Sequence, residues 1–334
     1  MKASPSAASL LTPAQRARVR LRSDGWGLWL VGHAWLMIVS SMALVAWLPN
    51  PLTYGLAVML IGSRQLGLLI LMHDGAHGML ARTRVLNDAL SQWGCAYPML
   101  AETSAYRRYH LLHHARTMQQ DDPDILLTGH YPISRASLRR KLVRDLLGRT
   151  GFAQRRAQFA QACGPAAAPL SARLLNLRSR LGRQIGVNLC LLTGLALAGH
   201  WSFYFTLWVL PALTWQQLVL RIRNIAEHAV VPDRNDPFRN ARTTEISWLE
   251  RALIAPYWVN FHVEHHLLMW VPCYRLRLLR NFLFANGHSA QMLTSHGYWA
   301  VLREVTWPSH QHPEDPGPRR ARAVGTFSEG FKEA

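Results

Sequence analysis

The sequence predicts an all-α integral membrane protein. Four transmembrane helices stand in two hairpins, and a cytoplasmic helical cap holds a histidine-rich dimetal site. Three observations predict it. Several apolar blocks approach the roughly 20 residues that one bilayer-crossing helix needs. The net charge of +18 lies almost entirely outside two short turns between those blocks. Nine of the 16 histidines fall into four groups, just beyond the apolar blocks, at spacings that place them on one helix face.

In chain order, residues 1–24 are polar and basic, with Arg16, Arg18, Arg20 and Arg22, and read as a flexible tail. A membrane domain follows over residues 25–305. Its first span is about 26–48, almost wholly apolar. Pro49, Asn50 and Pro51 then break the helix. The second span is about 52–72, with Arg64 and Gln65 its only strongly polar pair. The stretch 78–105 is too polar for a full span and reads as interfacial or re-entrant. A helix beginning near Ser104 carries the second histidine group and is broken at Asp121–Asp124. Residues 128–183 alternate basic and apolar positions, as surface-lying amphipathic helices do, with a linker at Gly164–Pro169. Residues 185–220 give two shortish spans, 185–199 and 201–220, around a tight turn at Gly199–His200. The tail, 306–334, is rich in Pro, Arg and Glu and reads as disordered.

Charge sets the orientation. The turns at 49–51 and 199–200 carry no formal charge, while the segments on the other side are arginine-rich. By the positive-inside rule the termini and all four histidine groups face the cytoplasm, in a bacterial inner membrane. The basicity suits anionic lipid headgroups. No nucleic-acid-binding motif accompanies it, so no nucleic acid partner is expected. The first apolar run is longer than a signal-peptide core and lacks a small-residue cleavage pattern, so it reads as an uncleaved anchor. Cys95, Cys163, Cys190 and Cys273 are scattered without metal or disulfide spacing.

The histidine groups are His73 and His77 in HDGAH; His110, His113 and His114 in HLLHH; His228 in NIAEH; and His262, His265 and His266 in HVEHH. One HxxxH pair alone is weak, but two HxxHH copies beside it are hard to reach by chance. A zinc ion takes about four ligands, so nine imidazoles are sized for two ions. Imidazole suits iron, zinc, copper or nickel. Asp74, Asp121, Asp122, Asp124, Glu227 and Glu264 lie beside these groups and could orient imidazole N–H groups, or serve as caps or solvated charges. Arg64, about 13 Å below His73 along its helix, reads as an ion pair locking the bundle or as a substrate contact.

These motifs resemble the histidine boxes of the membrane fatty-acid desaturase family, whose pattern is shared by related hydroxylases and carotenoid ketolases. The likeness extends to Arg64–Gln65, to DDPD after the second box, to AEHAV, and to VPCYRL after the third, and covers residues 25–290. The wording is nearest to a bacterial branch. The resemblance implies a di-iron centre with His73, His77, His110, His113, His114, His228, His262, His265 and His266 as ligands. Asn224 matches a family position that contacts a metal-bound water. It also implies dioxygen as co-substrate, an acyl or lipid-like substrate, and desaturation. No haem-binding HPGG is present, so electrons are expected from a separate, ferredoxin-like carrier docking on the cytoplasmic face. Arg107, Arg108, Arg139 and Arg140 would suit an acidic carrier or lipid headgroups. A hydroxylase or ketolase on the same scaffold is the second reading, and a membrane metal transporter or sensor the third. A transporter expects ligands along the spans, whereas these nine lie at their ends.

Overall fold

The structure, a computed structural model, describes residues 5–307. It is mainly helical. Two short helices, α1 (Ala7–Leu10) and α2 (Pro13–Val19), lead into the long α3 (Asp24–Trp47) and α4 (Pro51–Ala76). After α5 (Arg84–Ala89) comes a π-helical stretch, Leu90–Ala96, and then α6 (Thr103–Arg116) and α7 (Ile125–Thr128). Strand β1 (Ile133–Ser134) precedes α8 (Arg135–Leu146), α9 (Arg149–Cys163) and α10 (Leu170–Leu197). A second π-helical stretch, Tyr204–Val209, runs into α11 (Leu210–Leu213) and α12 (Trp215–His228). The remainder is β2 (Thr243–Glu245), α13 (Trp248–Leu253), α14 (His262–Leu267), α15 (Leu276–Ala285), β3 (Thr294–His296), α16 (Tyr298–Glu304) and β4 (Thr306–Trp307). Strand β1 pairs in parallel with β4, and β2 with β3. The all-α expectation is therefore corrected by two small parallel pairs that pin the last segment to residues 133–134 and 243–245.

Helices α3 and α4 form the first hairpin where the sequence places it. Pro51 sits in the first turn of α4, where a missing N–H costs nothing, and the Asn50 side chain accepts from the Leu52 and Thr53 amides. Both helices are long and apolar enough to cross a bilayer, and among the described residues they are the two that are. The second hairpin departs from expectation. Helix α10 begins at Leu170, well before 185, and its last cation is Arg183, so only about 21 Å of it is free of charge, and that stretch still holds the buried Gln184 and Asn188. The returning run is not one helix: it passes through a π-helical stretch, meets Pro211, and breaks at Thr214 (φ −116°, ψ −89°) before α12 starts. The tight turn itself is at Gly199, which takes φ +79°.

Large apolar side chains face outward on these elements: Trp29, Leu36 and Val39 on α3, Leu189 and Leu197 on α10, and Phe205 beyond the turn. Exposed large apolar side chains in this number on long helices are compatible with membrane association. The inner side of α4 is the opposite, with Ile61, Leu66, Leu68, Leu71 and Met72 fully buried against neighbouring elements.

Two boundaries are corrected. The stretch 6–23 is folded: Leu10, Leu11 and Val19 are buried, α2 opens with a Thr12–Gln15 capping box, and Asn286 Nδ2 donates to the Leu10 carbonyl at 2.8 Å. Three apolar contacts suffice to dock a segment whose composition is otherwise polar. Thr306 and Trp307 belong to β4 rather than to the tail, and the expectation for 308–334 lies outside the described residues.

Candidate metal centre

Four elements bring the nine histidines together. His73 and His77 close α4, His110, His113 and His114 line α6, His228 ends α12, and His262, His265 and His266 make up much of α14. Helix ends are fixed there by arginines, one buried and one partly exposed. Arg242 donates from Nη1 to the Ala226 and Ala229 carbonyls at 3.0 and 2.9 Å, holding the C-terminal turn that carries His228. Arg107 does the same for α4, donating to the Ala76 and Gly75 carbonyls at 2.6 and 3.2 Å. Arg107 is thus partly committed inside the protein, whereas Arg108, Arg139 and Arg140 are exposed.

The imidazoles divide into two sets. His73, His77, His110, His114 and His265 place one ligand nitrogen each within 4.8 Å of one another, as do His113, His228 and His266. His262 joins the second set, its Nε2 lying 2.9 Å from His228 Nε2 and 3.1 Å from His266 Nε2. In the first set His73 and His114 each hold Nε2 at 3.0 Å from His265 Nε2, and His110 Nε2 is 2.9 Å from His114 Nε2. An imidazole–metal bond of about 2.1 Å at right angles gives a ligand–ligand edge of about 3.0 Å. The observed spacing is that edge.

Protons cannot account for these contacts. The Asn240 carbonyl can only accept, so at 3.1 Å it requires the proton on His228 Nδ1 and leaves Nε2 bare. Glu227 Oε1, at 3.5 Å, favours the same tautomer in His262. The Thr117 hydroxyl donates to the His113 carbonyl at 2.9 Å and so accepts from His266 Nδ1 at 3.3 Å. Three bare lone pairs then face one another at about 3 Å, an arrangement a cation between them relieves. In the other set His77 Nε2 is buried without any hydrogen-bond partner among the described residues. The donor set fits metal: the cluster could hold a metal ion.

Electrostatics agree. Burial, reinforced by neighbouring imidazoles, holds His110, His114, His262, His265 and His266 well below the ordinary histidine pKa, and His228 falls to about 3. Neutral imidazoles keep lone pairs available at neutral pH. His113 is the exception. Burial opposes its charge, yet the Asp122 hydrogen bond at 2.8 Å and the nearby Asp124 raise its pKa. Burial also lifts Glu227 to about 7 against the pull of Arg223, its ion-pair partner at 2.8 Å.

Of the proposed orienting carboxylates, Asp74 contacts His73 Nδ1 at 3.4 Å, Asp122 and Asp124 approach His113 Nδ1 at 2.8 and 3.6 Å, and Glu227 approaches His262. Two are corrected. Asp121 points outward to Arg116, at 3.2 Å. Glu264 is buried but turned away, held by Thr243 at 2.5 Å and Arg280 at 2.8 Å. Asn224 lines a small cavity with Tyr106, His110, His113, His228 and His262, so it does face the cluster. Arg64 makes no ion pair among the described residues. Its Nη2 donates to the Ala252 carbonyl at 2.5 Å and its guanidinium lies over the Tyr257 ring, tying α4 to α13 and to the segment after it. Sequence reasoning missed Thr117, Arg223, Tyr106 and the Asn240 carbonyl. Thr117, four residues after His113, and Arg223, four before Glu227, were findable from helix spacing. The Asn240 carbonyl carries no side-chain signal.

The model of the family described as fatty acid desaturase matches residues 46–298. The chain belongs to the fatty acid desaturase family. Membership makes it an oxidoreductase, and the match takes in all nine clustered histidines. The chain is also similar to the dihydrorhizobitoxine desaturase of Bradyrhizobium elkanii, with 26% identity over 254 residues, covering 73% of this chain and 71% of the relative.

Proposed function

We propose that this member of the family is a di-iron, dioxygen-dependent desaturase that introduces a double bond into an acyl or related substrate. The observation that carries the reading is the packing of nine imidazoles into two adjoining sets, five and four, with bare Nε2 atoms at metal-edge spacing. His73, His77, His110, His114 and His265 would hold one iron, and His113, His228, His262 and His266 the other. Removing hydrogen from an unactivated C–H bond calls for a redox metal, which zinc is not. When bound, the irons supply oxidation by dioxygen: one dioxygen, two electrons and two protons enter, two hydrogens leave adjacent carbons, and two waters form.

The chain's own groups have definable work. Asp122 and the Asn240 carbonyl would aim His113 and His228 by accepting hydrogen bonds from their Nδ1–H groups, with Asp74 and Glu227 standing near Nδ1 of His73 and His262 at 3.4 and 3.5 Å. Asn224 would hydrogen-bond a water at the open side of the second set. Electrons would come from a separate carrier, ferredoxin-like, docking on a face around the exposed Arg108, Arg139 and Arg140. That face would be cytoplasmic in an inner membrane, with α3, α4, α10 and the broken 202–213 run embedded in lipid as four crossings. A metal transporter is disfavoured by the closed cluster at one end of the spanning helices, since a path would need ligands along them.

Two measurements test the reading together. Gently purified protein is expected to carry close to two irons per chain. Membranes supplied with reductant, dioxygen and candidate substrates should yield a product two hydrogens lighter. One zinc per chain would refute the di-iron assignment. Gain of one oxygen instead would make the enzyme a hydroxylase or ketolase.

A further inference from the structure

Helices α8 and α9 meet at Gly148, which takes φ +74°, and form an elbow with an open outer side. Val143, Leu146 and Leu147 share one face of α8 at helical spacing and are 48%, 49% and 61% exposed. Phe152, in the first turn of α9, is 62% exposed. Arg144, Arg149 and Arg156 are exposed beside them. Residues 135–156 carry eight arginines and lysines against one acid, Asp145, which is fully buried and bound by Arg221 Nη2 at 3.0 Å. The charge this elbow turns outward is therefore wholly positive.

Its level along the bundle decides what it meets. A Cβ on Gly151 would fall 2.6 Å from the Leu213 carbonyl oxygen, and one on Gly148 would lie 3.5 Å from Thr214 Cγ2. The elbow is thus seated on the end of the 202–213 run. Trp215 follows at once, and its Cβ would be 3.0 Å from a Cβ on Gly62 of α4. Gly62 lies about 17 Å along α4 from Pro51, with about 21 Å of helix still to run toward the histidines. Tyr54 and Phe203, with ring centroids 6.4 Å apart, keep the outer ends of the two hairpins level. A hydrocarbon core is about 30 Å thick. The elbow therefore stands level with the cytoplasmic half of that core, where the returning run has already ended. An apolar tip flanked by arginines suits lipid at that level, with acyl chains on the leucines and phenylalanine and phosphates on guanidiniums carried by long stems. An acidic protein partner would have to enter the leaflet to reach it.

We propose that the α8–α9 elbow inserts into the cytoplasmic leaflet as a wedge that takes anionic phospholipid. It completes the membrane footprint where the second hairpin falls short. The proposal rests on the reading of α3 and α4 as membrane crossings. Arg139 and Arg140 lie about 10 Å back along α8 from Leu146 and stay open to a carrier.

Full-length protein with Cys163 and Cys190 replaced by serine would carry a bimane label on one introduced cysteine, in nanodiscs of phosphatidylcholine and phosphatidylglycerol. Labels at Leu147→Cys and Phe152→Cys are expected to be quenched by acyl-brominated lipid and shielded from aqueous iodide. Leu36→Cys, on the outer side of α3, is the reference for a crossing helix. Lipid quenching at Leu36→Cys with iodide quenching at the elbow would overturn the wedge alone. Iodide quenching at all three would mean that the crossing reading has failed, and the wedge with it. Headgroup choice is read by titrating detergent-solubilised protein with dioctanoyl phosphatidylglycerol and dioctanoyl phosphatidylcholine. The anionic lipid is expected to bind about tenfold or more tighter. Arg144→Gln, Arg149→Gln and Arg156→Gln together should erase that preference while iron content stays at the wild-type level. Equal binding of the two lipids would overturn the anionic assignment. So would a triple variant that keeps the lipid preference but loses affinity for an acidic ferredoxin, since the face would then be a carrier's.

Discussion

At the scale of single residues, helix spacing made the histidine cluster legible and its neglect explains the errors. Eight of the nine histidines were readable because they recur three or four apart, and the structure brings all nine into two adjoining sets. Glu264 was mistaken on the same arithmetic. Two residues beyond His262 on a helix it lies about 200° round, on the face toward Thr243 and Arg280. Asp121 and Asp122 could not be told apart, because they lie beyond the end of α6, where helical spacing no longer applies. His228 is the sharpest test at this scale, standing alone in sequence yet held from both sides by Asn240 and His262. His228→Ala is expected to abolish turnover and lower iron from two per chain toward one, while the protein still inserts and folds. His200→Ala, in the turn beyond α10, should leave both unchanged. Full iron and near-normal activity in His228→Ala would reduce it to a structural histidine.

At the scale of elements, long apolar helices were legible and irregular ones were not. Helices α3 and α4 follow from composition plus the Pro–Asn–Pro turn. The π-helical stretches and the break at Thr214 have no comparable signature, since they arise from tertiary packing that periodicity does not encode. One consequence sits inside the first histidine motif. A Cβ on Gly75 would fall 2.3 Å from Cβ and Oγ of Ser91, which is fully buried on the first π-helical stretch. Gly75 is therefore required for close approach, between the two histidines of HDGAH. Gly75→Ala should cost about 1–3 kcal/mol as overpacking and lower both Tm and iron content, as α4 is levered away and His73 and His77 lose register. Gly55→Ala is the control on the same helix. Nothing lies within 4 Å of its Cβ position, so it should be neutral or slightly stabilising. Equal losses from both substitutions would mean that helix α4 responds to any added methyl group and that the Ser91 contact is not special.

At the scale of the whole molecule, charge and exposed apolar surface must agree on one orientation. Arginines cluster beyond the histidine ends of α3, α4 and α10, while residues 48–53 and 197–203 carry no formal charge. The outward-facing Trp47, Leu52, Leu197 and Trp201 ring that uncharged end. Moving the arginine-rich side across a membrane is the costlier alternative, which is the physical content of the positive-inside rule. The bundle should therefore insert with the histidine cluster in the cytoplasm, where a soluble reductant can reach it. Single cysteines introduced at Leu48 and at Arg108, both exposed, would report this in a background where Cys163 and Cys190 are serine and the buried Cys95 and Cys273 are kept. A membrane-impermeant maleimide on intact cells is expected to label Leu48→Cys readily. Arg108→Cys should stay unlabelled until the cells are permeabilised, because it lies on α6 two residues before His110. The reverse pattern would turn the protein over, put the imidazoles outside, and remove any role for a cytoplasmic electron carrier. Labelling of both positions in intact cells would mean that the first hairpin does not cross the bilayer.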